Sequence, residues 1–538
     1  MFLGGGKIKA TTNIPQAFKM ETDQIAIHSD WSKTRDGRPG ISVRQHCETV
    51  GAVARILLDR FPGIVSVSGL DANAIVFLAA SHDVGKISID FLQKCLAWLD
   101  AEGLRNRAQG ETWSRTYDRP HFRISQKSLD AFLRKKGAAP DGLSSAVWSV
   151  VAGAHHGVIK DVPSSRPVRF GGTERPLEEA RQRCLCELWE ESGSLSLCKT
   201  DKQDARVWLV SGLVTLADWI GSDETYFPAD LPLGANEIQR RAEAAVTEIG
   251  LGVPEIRRGL DFGGLFSGRS PYPLQRDAHD FVQPGGVHVI EAPMGMGKTE
   301  AALFAAYKLL ESGQSSGIYF ALPTQATSNR MFLRFADFVR RICPDAAPTA
   351  LLHGNSWLQD DLKRLAIPES EEGSRDWSWF NGARRALFAP FGVGTVDQLL
   401  LSILPVKFFA LRRMALAGKT VILDEVHSYD RYTSDLIAML CQELPKLGCT
   451  VIILSATLTD EVRCRLLHAK PEEALPEART PYPRLTGVLG GEPMVEMAPA
   501  TVPDKHVAIR WEGAEQAESA VVEAVQAGAL VLWILKVD

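Results

Sequence analysis

No apolar run in the 538-residue sequence approaches the roughly 20 residues that a membrane-spanning helix needs. The N-terminal stretch MFLGGGKIKATTNIPQAF lacks the apolar centre of a secretory signal, so a cytoplasmic location without a membrane partner is expected. The 9 cysteines include no C-x-x-C pair, and Cys184, Cys186 and Cys198 do not have zinc-finger spacing. Reduced structural thiols are the expectation. An excess of positive charge is also lacking: 60 Lys and Arg against 65 Asp and Glu leave a net charge of -5. Any nucleic-acid site must therefore be a local groove rather than a consequence of global charge. No internal repeat is found. What is there is an ordinary globular composition, 45% hydrophobic and 23% charged, in a chain long enough for about three domains.

Up to about residue 226 the segments HCETVGAVARILLDRF, ISQKSLDAFLRKK, SSAVWSVVAGAHHG and ARVWLVSGLVTLADWI repeat apolar residues at spacings of three and four, which predicts an all-helical region over 1–226. Residues 227–270 mix Pro-Gly turns with one amphipathic helix, NEIQRRAEAAVTEIG, and read as a connector. Beyond it, the β-rich runs GVHVIEAP, SGIYFALPT, TVILDEVH and TVIILSAT alternate with helical segments, the pattern of a parallel α/β sheet over 271–503. A strand, a helix and a strand are read over 504–538. The stretch PESEEGSRDWS predicts a surface loop.

The α/β region carries phosphate chemistry. EAPMGMGKTE lies between a strand and a helix, where Gly295, Met296 and Gly297 can turn backbone N–H groups toward phosphates. Lys298 can reach the β and γ phosphates of ATP, Thr299 can hold Mg2+, and Glu300 follows in the first helical turn. Ala292 stands where the usual loop has its first glycine. In VILDEVHSYDR, Asp424 and Glu425 end a strand, suited to holding Mg2+ and to orienting the attacking water.

The Asp424-Glu425-Val426-His427 run, followed by Ser455-Ala456-Thr457, resembles the DExH branch of superfamily-two helicases. That resemblance implies a RecA-like lobe, a link from His427 and the Ser-Ala-Thr segment between hydrolysis and movement, and adenine recognition by Gln275; it also makes 504–538 the incomplete start of a second α/β lobe, so that the sequence is expected to be a piece of a longer motor. LPTQATSNRM and VGTVDQ look like the family's strand-end loops that touch the phosphodiester backbone.

The helical region poses a different question. Of 12 histidines, six precede residue 157: His28, His46, His82, His121, His155 and His156. Two adjacent imidazoles in AHHG face different directions and both need polar partners, which core packing does not supply. Metal ligation accounts for them, and imidazoles with a shared carboxylate suit Mn2+, Fe2+, Co2+, Ni2+ or Zn2+. His28 reads as a loop residue and His353 as a motor-loop residue.

The succession HDVGK, RPHFRIS, GAHHG and LADWIGSD resembles the HD phosphohydrolase fold, and with the motor behind it the chain is similar to the CRISPR-associated helicase-nucleases of type I systems. The resemblance implies one divalent transition metal on His46, His82, Asp83 and Asp218 and a second on Asp83, His121, His155 and His156, with Asp83 as the bridge. It implies catalytic roles for His82, Asp83 and Lys86 in the nuclease and for Lys298, Asp424 and Glu425 in the motor. Lys86 equally fits a solvated helix end, and Ser222 stands where the family often has a site serine.

The expected function is metal-dependent cleavage of single-stranded DNA coupled to ATP-driven translocation. By the same resemblance, the expected partners are R-loop DNA and an RNA-guided CRISPR surveillance complex, met by a monomer. An HD-type nucleotide phosphohydrolase fits the motor poorly. A non-catalytic recruitment module for the surveillance complex is the alternative from another class.

Overall fold

The computed structural model describes residues 29–105, 120–157, 175–193, 195–343, 349–352, 386–468, 482–497, 513–529 and 531. His28, His353, the PESEEGSRDWS loop and both strands expected in 504–538 lie outside the described residues. The chain forms two compact units, residues 1–499 and 500–538. Among the described residues of the smaller unit, Ala514–Gln526 is a helix, and the N–H of Gly513 before it donates to Gln516 Oε1.

The larger unit begins with a short ribbon, β1 (Thr34–Arg35) and β2 (Arg38–Pro39), which the helical reading did not include. Helix α1 (Val43–Arg60) follows, capped by the Ser42 hydroxyl accepting from Gln45 N–H. Its apolar residues Val43, Cys47, Val50, Ala54 and Leu57 are buried in the core, and the helix packs on α2 (Ala72–Ala80). Helices α3 (His121–Lys136), α4 (Gly142–Ala154), α5 (Arg175–Ser192) and α6 (Ala205–Gly221) complete the bundle. Asp71, Asp141 and Asp204 each cap the helix that follows. Helix α7 (Ala235–Ile249), expected in the connector, packs on α1 and buries Ala242, Ala245, Val246 and Ile249.

The α/β region runs through α8 (Pro273–Phe281), β3 (Val287–Glu291), α9 (Lys298–Glu311), β4 (Ile318–Leu322), α10 (Gln325–Ile342), β5 (Thr349–Leu352) and β6 (Phe391–Thr395). It continues through α11 (Val396–Leu400), α12 (Phe409–Leu416), β7 (Thr420–Leu423), α13 (Arg431–Glu443), β8 (Thr450–Ser455), α14 (Asp460–Leu467), β9 (Arg484–Leu489) and β10 (Glu492–Met497). The strand order is β10-β9-β3-β8-β7-β4-β6-β5. Strands β3 to β8 pair in parallel, and β3, β4, β6, β7 and β8 are buried throughout, as a sheet covered on both faces requires.

The expectation of a parallel sheet fails at one edge, where β9 and β10 run antiparallel. Gly490 and Gly491, both at positive φ, form the two-residue turn between them, a conformation that only glycine adopts readily. One buried cluster joins α1 and α6 to α12 and to Val289, Tyr319, Val421 and Val451 on a sheet face. A second cluster packs α9 and α10 against the opposite face. Among the described residues no helix is long and apolar enough to cross a membrane.

Candidate metal centre and nucleotide site

Helix α2 ends at Ala80, and the chain turns at once, placing His82 and Asp83 deep in the bundle. The HD pair therefore ends a buried helix and also faces inward. The turn passes against α3 so closely that a Cβ at Gly85 would overlap the His121 carbonyl, and Gly85 N–H donates to Ser125 Oγ over 2.9 Å. His46 comes from α1, His121 from the start of α3, His155 and His156 from the end of α4, and Asp218 from the last turn of α6.

These side chains converge as two groups, His46 with His82, Asp83 and Asp218, and His121 with His155 and His156. Asp83 stands between them. Its Oδ2 lies 3.2 Å from His46 Nε2 and 3.3 Å from His82 Nε2, while its Oδ1 lies 3.4 Å from Nε2 of both His121 and His155. Asp218 Oδ1 is 3.5 Å from His46 Nε2 and 3.4 Å from His82 Nε2. His156 Nε2 is 3.0 Å from His121 Nε2.

The polar accounting fits a cation. Both ring nitrogens of His46, Nε2 of His82 and Oδ1 of Asp83 are buried without a hydrogen-bond partner, an arrangement costly unless a ligand completes it. Nδ1 of His82 is 2.9 Å from the Ala79 carbonyl, and Nδ1 of His155 is 2.9 Å from the Ala152 carbonyl. Each ring can thus donate its Nδ1 proton to the backbone and turn Nε2 inward, the arrangement by which proteins orient histidine ligands.

The local electrostatics are divided. Burial opposes charge on His82, but Asp83 and Asp218 lift its pKa to about 9. Burial lowers His121 to about 4 and His155 to about 3, only partly offset by Asp83. Burial also opposes charge on Asp83, yet Lys86, His82 and His46 hold its pKa well below the usual carboxylate range. Lys86 Nζ is 2.6 Å from Asp83 Oδ2, so this lysine is tied to the site. Ser222 Oγ donates to Asp218 Oδ1 at 3.0 Å. Lys33, which sequence reasoning did not single out, donates from Nζ to the Ser222 carbonyl at 2.9 Å. A lone lysine in a ribbon-adjacent loop carries no sequence signal for that placement.

In the α/β region the phosphate-type loop follows β3, and Gly297, at φ 71, opens α9. Gly295 is also left-handed, at φ 84. Lys298 Nζ donates to the carbonyls of Ala292 at 2.7 Å and Pro293 at 3.2 Å. Gln275 accepts from Tyr272 N–H at 2.8 Å and donates to the Gly297 carbonyl at 3.2 Å. Met296 and Thr299 are half-buried, and Glu300 pairs with Arg334 of α10 at 2.7 Å.

Asp424 and Glu425 follow β7, and burial together with the Glu425 charge raises the Asp424 pKa to about 6. Glu425 sits at φ 56, strained for a residue with a side chain. His427 bridges the two predicted motifs, with Nε2 3.1 Å from Glu425 Oε2 and Nδ1 3.1 Å from Ser455 Oγ.

The strand-end loops are also placed. Thr324 caps α10 by accepting from Thr327 N–H, and Thr395 precedes α11. A network missed in the sequence lies between these motifs. Buried Glu291 pairs with Arg463 at 2.6 Å and Arg484 at 3.0 Å, and it accepts from Leu458 N–H at 3.2 Å.

Two family descriptions match the chain: Cas3, HD domain, over residues 31–227, and DEAD/DEAH box helicase, over residues 272–464. The chain carries a Cas3 HD domain followed by a DEAD/DEAH box helicase domain. The CRISPR-associated endonuclease/helicase Cas3 of Thermus thermophilus is 36% identical over 510 residues, covering 88% of this chain and 54% of that protein. The crystal structure of T. fusca Cas3-AMPPNP aligns with a TM-score of 0.74 and 26% identity, over 90% of this chain and 58% of that one. A chain of a CRISPR RNA-guided surveillance complex, pre-nicking, aligns with a TM-score of 0.60 and 26% identity, over 87% of this chain and 55% of that one. The chain spans about half the length of the curated Cas3 relatives it matches. The two matched domains imply use of a metal and of ATP.

Proposed function

We infer that this chain carries the metal-dependent DNA nuclease of a CRISPR interference enzyme together with the ATP-binding lobe of its motor. The observation that carries the reading is the placement of Asp83 between two histidine clusters, with the inward nitrogens of His46 and His82 and Oδ1 of Asp83 buried without a hydrogen-bond partner. His46, His82, Asp83 and Asp218 would hold one divalent transition ion, and Asp83, His121, His155 and His156 a second. Such a pair supplies Lewis acidity toward a scissile phosphate and the leaving oxygen. The chain's own residues do the rest. Asp83 and Asp218 set the negative charge of the site, the Ala79 and Ala152 carbonyls orient two of the imidazoles, and Lys86 offers a cation to the phosphate flank.

In the motor lobe, Gly295, Met296, Gly297, Lys298, Thr299 and Glu300 would cradle ATP phosphates, with Asp424 and Glu425 serving Mg2+ and water. Gln275 would read adenine. The loops at Thr324 and Thr395 would hold single-stranded DNA by its backbone, which gives little sequence preference and strong salt dependence. Likeness to a chain of a surveillance complex supports recruitment to an R-loop opened by such a complex.

The test uses circular single-stranded DNA with Mn2+ or Ni2+, with and without EDTA, beside a His82→Ala, Asp83→Ala double variant. Wild type should open the circle only when metal is free, and the double variant should not. A circle left intact by wild type with every transition metal defeats the nuclease reading.

A further inference from the structure

Among the described residues, two of the metal-ligand segments meet at one motor-lobe side chain, that of Phe408. Gly157, directly after His155 and His156, sits at φ +78, and its carbonyl accepts the Phe408 N–H at 2.9 Å. A Cβ at Gly157 would overlap the Phe408 ring, so the two residues leave no slack between them. The same ring meets Trp219 edge-on, with centroids 5.3 Å apart, and Trp219 directly follows Asp218. Phe408 therefore bears on the chain next to His156 and next to Asp218, two segments that come from different helices. It does so from φ 65, a left-handed backbone that is strained for a phenylalanine and persists only where the surroundings impose it.

What imposes it is α12, which Phe408 caps. This helix lies against α6, the helix that bears Asp218. A Cβ added at Gly212 of α6 would overlap the Ala410 carbonyl and the Met414 side chain, and Trp208 packs on Phe409 with centroids 5.2 Å apart. On its other side α12 is tied into the motor. Arg412 donates to Gln398 Oε1 at 3.4 Å, and Arg413 donates to the Ser402 carbonyl at 2.9 Å. Gln398 closes the VGTVDQ segment, one of the two strand-end loops.

We propose that Phe408 is a positioning residue of the metal centre, a motor-lobe side chain that fixes where the His155-His156 turn and Asp218 stand. The proposal rests on the metal-centre reading above. It makes the nuclease site a product of two lobes: the helical bundle supplies the ligands, and α12, held by Arg412 and Arg413, supplies the wedge that sets their spacing. Residues that orient ligands without touching the ion commonly change metal affinity about 10–100-fold when removed.

The experiment is a titration of the whole 538-residue chain with Co2+ alone, read by ligand-field absorption, for wild type, Phe408→Ala, Phe408→Tyr and Phe409→Ala. Circular dichroism and thermal melting accompany each titration. Phe408→Ala should weaken Co2+ binding about tenfold or more and change the band shape, and Phe408→Tyr should restore both. Phe409→Ala, at the same helix contact but one residue from the wedge, should keep the wild-type spectrum even if its melting temperature falls. A wild-type spectrum and affinity in Phe408→Ala overturn the proposal. So does an equal change in Phe409→Ala, which would make the effect one of general loosening. If wild type itself takes up no Co2+, the metal-centre reading falls and the proposal with it.

Discussion

The two candidate sites of this chain handle their polar groups in opposite ways. In the helical bundle, inward nitrogens of His46 and His82 and an oxygen of Asp83 are buried without a hydrogen-bond partner. In the α/β lobe, Lys298 and Gln275 are satisfied by the loop's own carbonyls and by Tyr272 N–H. A buried atom left without a hydrogen bond can meet a ligand without first breaking one, although here His82 must give up its proton and Asp83 its tie to Lys86. A satisfied loop must exchange its hydrogen bonds for the ligand's. The bundle is therefore the more preorganised site and the motor loop an exchanging one; one apolar cluster joins the bundle to a face of the sheet, and a second holds the helices of the motor loop on the other.

The sharpest way to break that contrast is at the bridge. Asp83→Asn should abolish nicking and lower bound metal from about two equivalents to none or a trace, whereas Asp218→Asn should spare the His121 cluster and keep about one, counted by elemental analysis after dialysis. Equal stoichiometry in the two variants would remove Asp83 from its central place. Next in size, Arg463→Ala leaves buried Glu291 with Arg484 and the Leu458 N–H as its remaining partners and should cost about 1–3 kcal/mol in urea unfolding, while nicking at moderate temperature persists.

Lys298→Ala comes third: nucleotide affinity, measured by fluorescence titration, should fall about 10–100-fold while metal-dependent nicking stays within about twofold of wild type. Joint loss of both would mean that the two sites are not separable. A smaller effect comes from His288, buried in β3 with its pKa lowered to about 4 by burial. The unfolded chain takes up the His288 proton near pH 6.5 and the folded chain does not until about 4, so stability is full above pH 6.5 and declines as pH falls through that window. Denaturation at pH 7 and pH 5 should differ by roughly 2 kcal/mol more in wild type than in His288→Gln.

Legibility in the sequence followed the chemistry. HDVGK, GAHHG, GMGKT and DEVH could be read because phosphate and metal chemistry demand particular side chains at fixed spacings, whereas His46, Asp218 and Gln275 entered only through the family resemblance. Lys33, Phe408 and the Glu291–Arg463 pair could not be read, because each acts through a partner far away in the chain. The antiparallel hairpin was accessible in principle: VLGGEP sets Gly490-Gly491 between strand-like runs, a strong hairpin signal that an expectation of parallel βαβ units passed over. Helix α7 was seen, but amphipathicity reports that a face is buried and not against what, so its docking on α1 needed the fold.

That hairpin has a consequence for how the lobe opens. With β9 paired along one side of β3 and β8 along the other, the strand that leads into the phosphate-type loop is interior to the sheet. Edge strands exchange their amide hydrogens by local fraying, whereas doubly paired ones wait for cooperative opening of the whole unit. The amides of Val287 to Glu291 should thus be among the last of the lobe to take up deuterium, and β5 and β10, at the two margins, among the first.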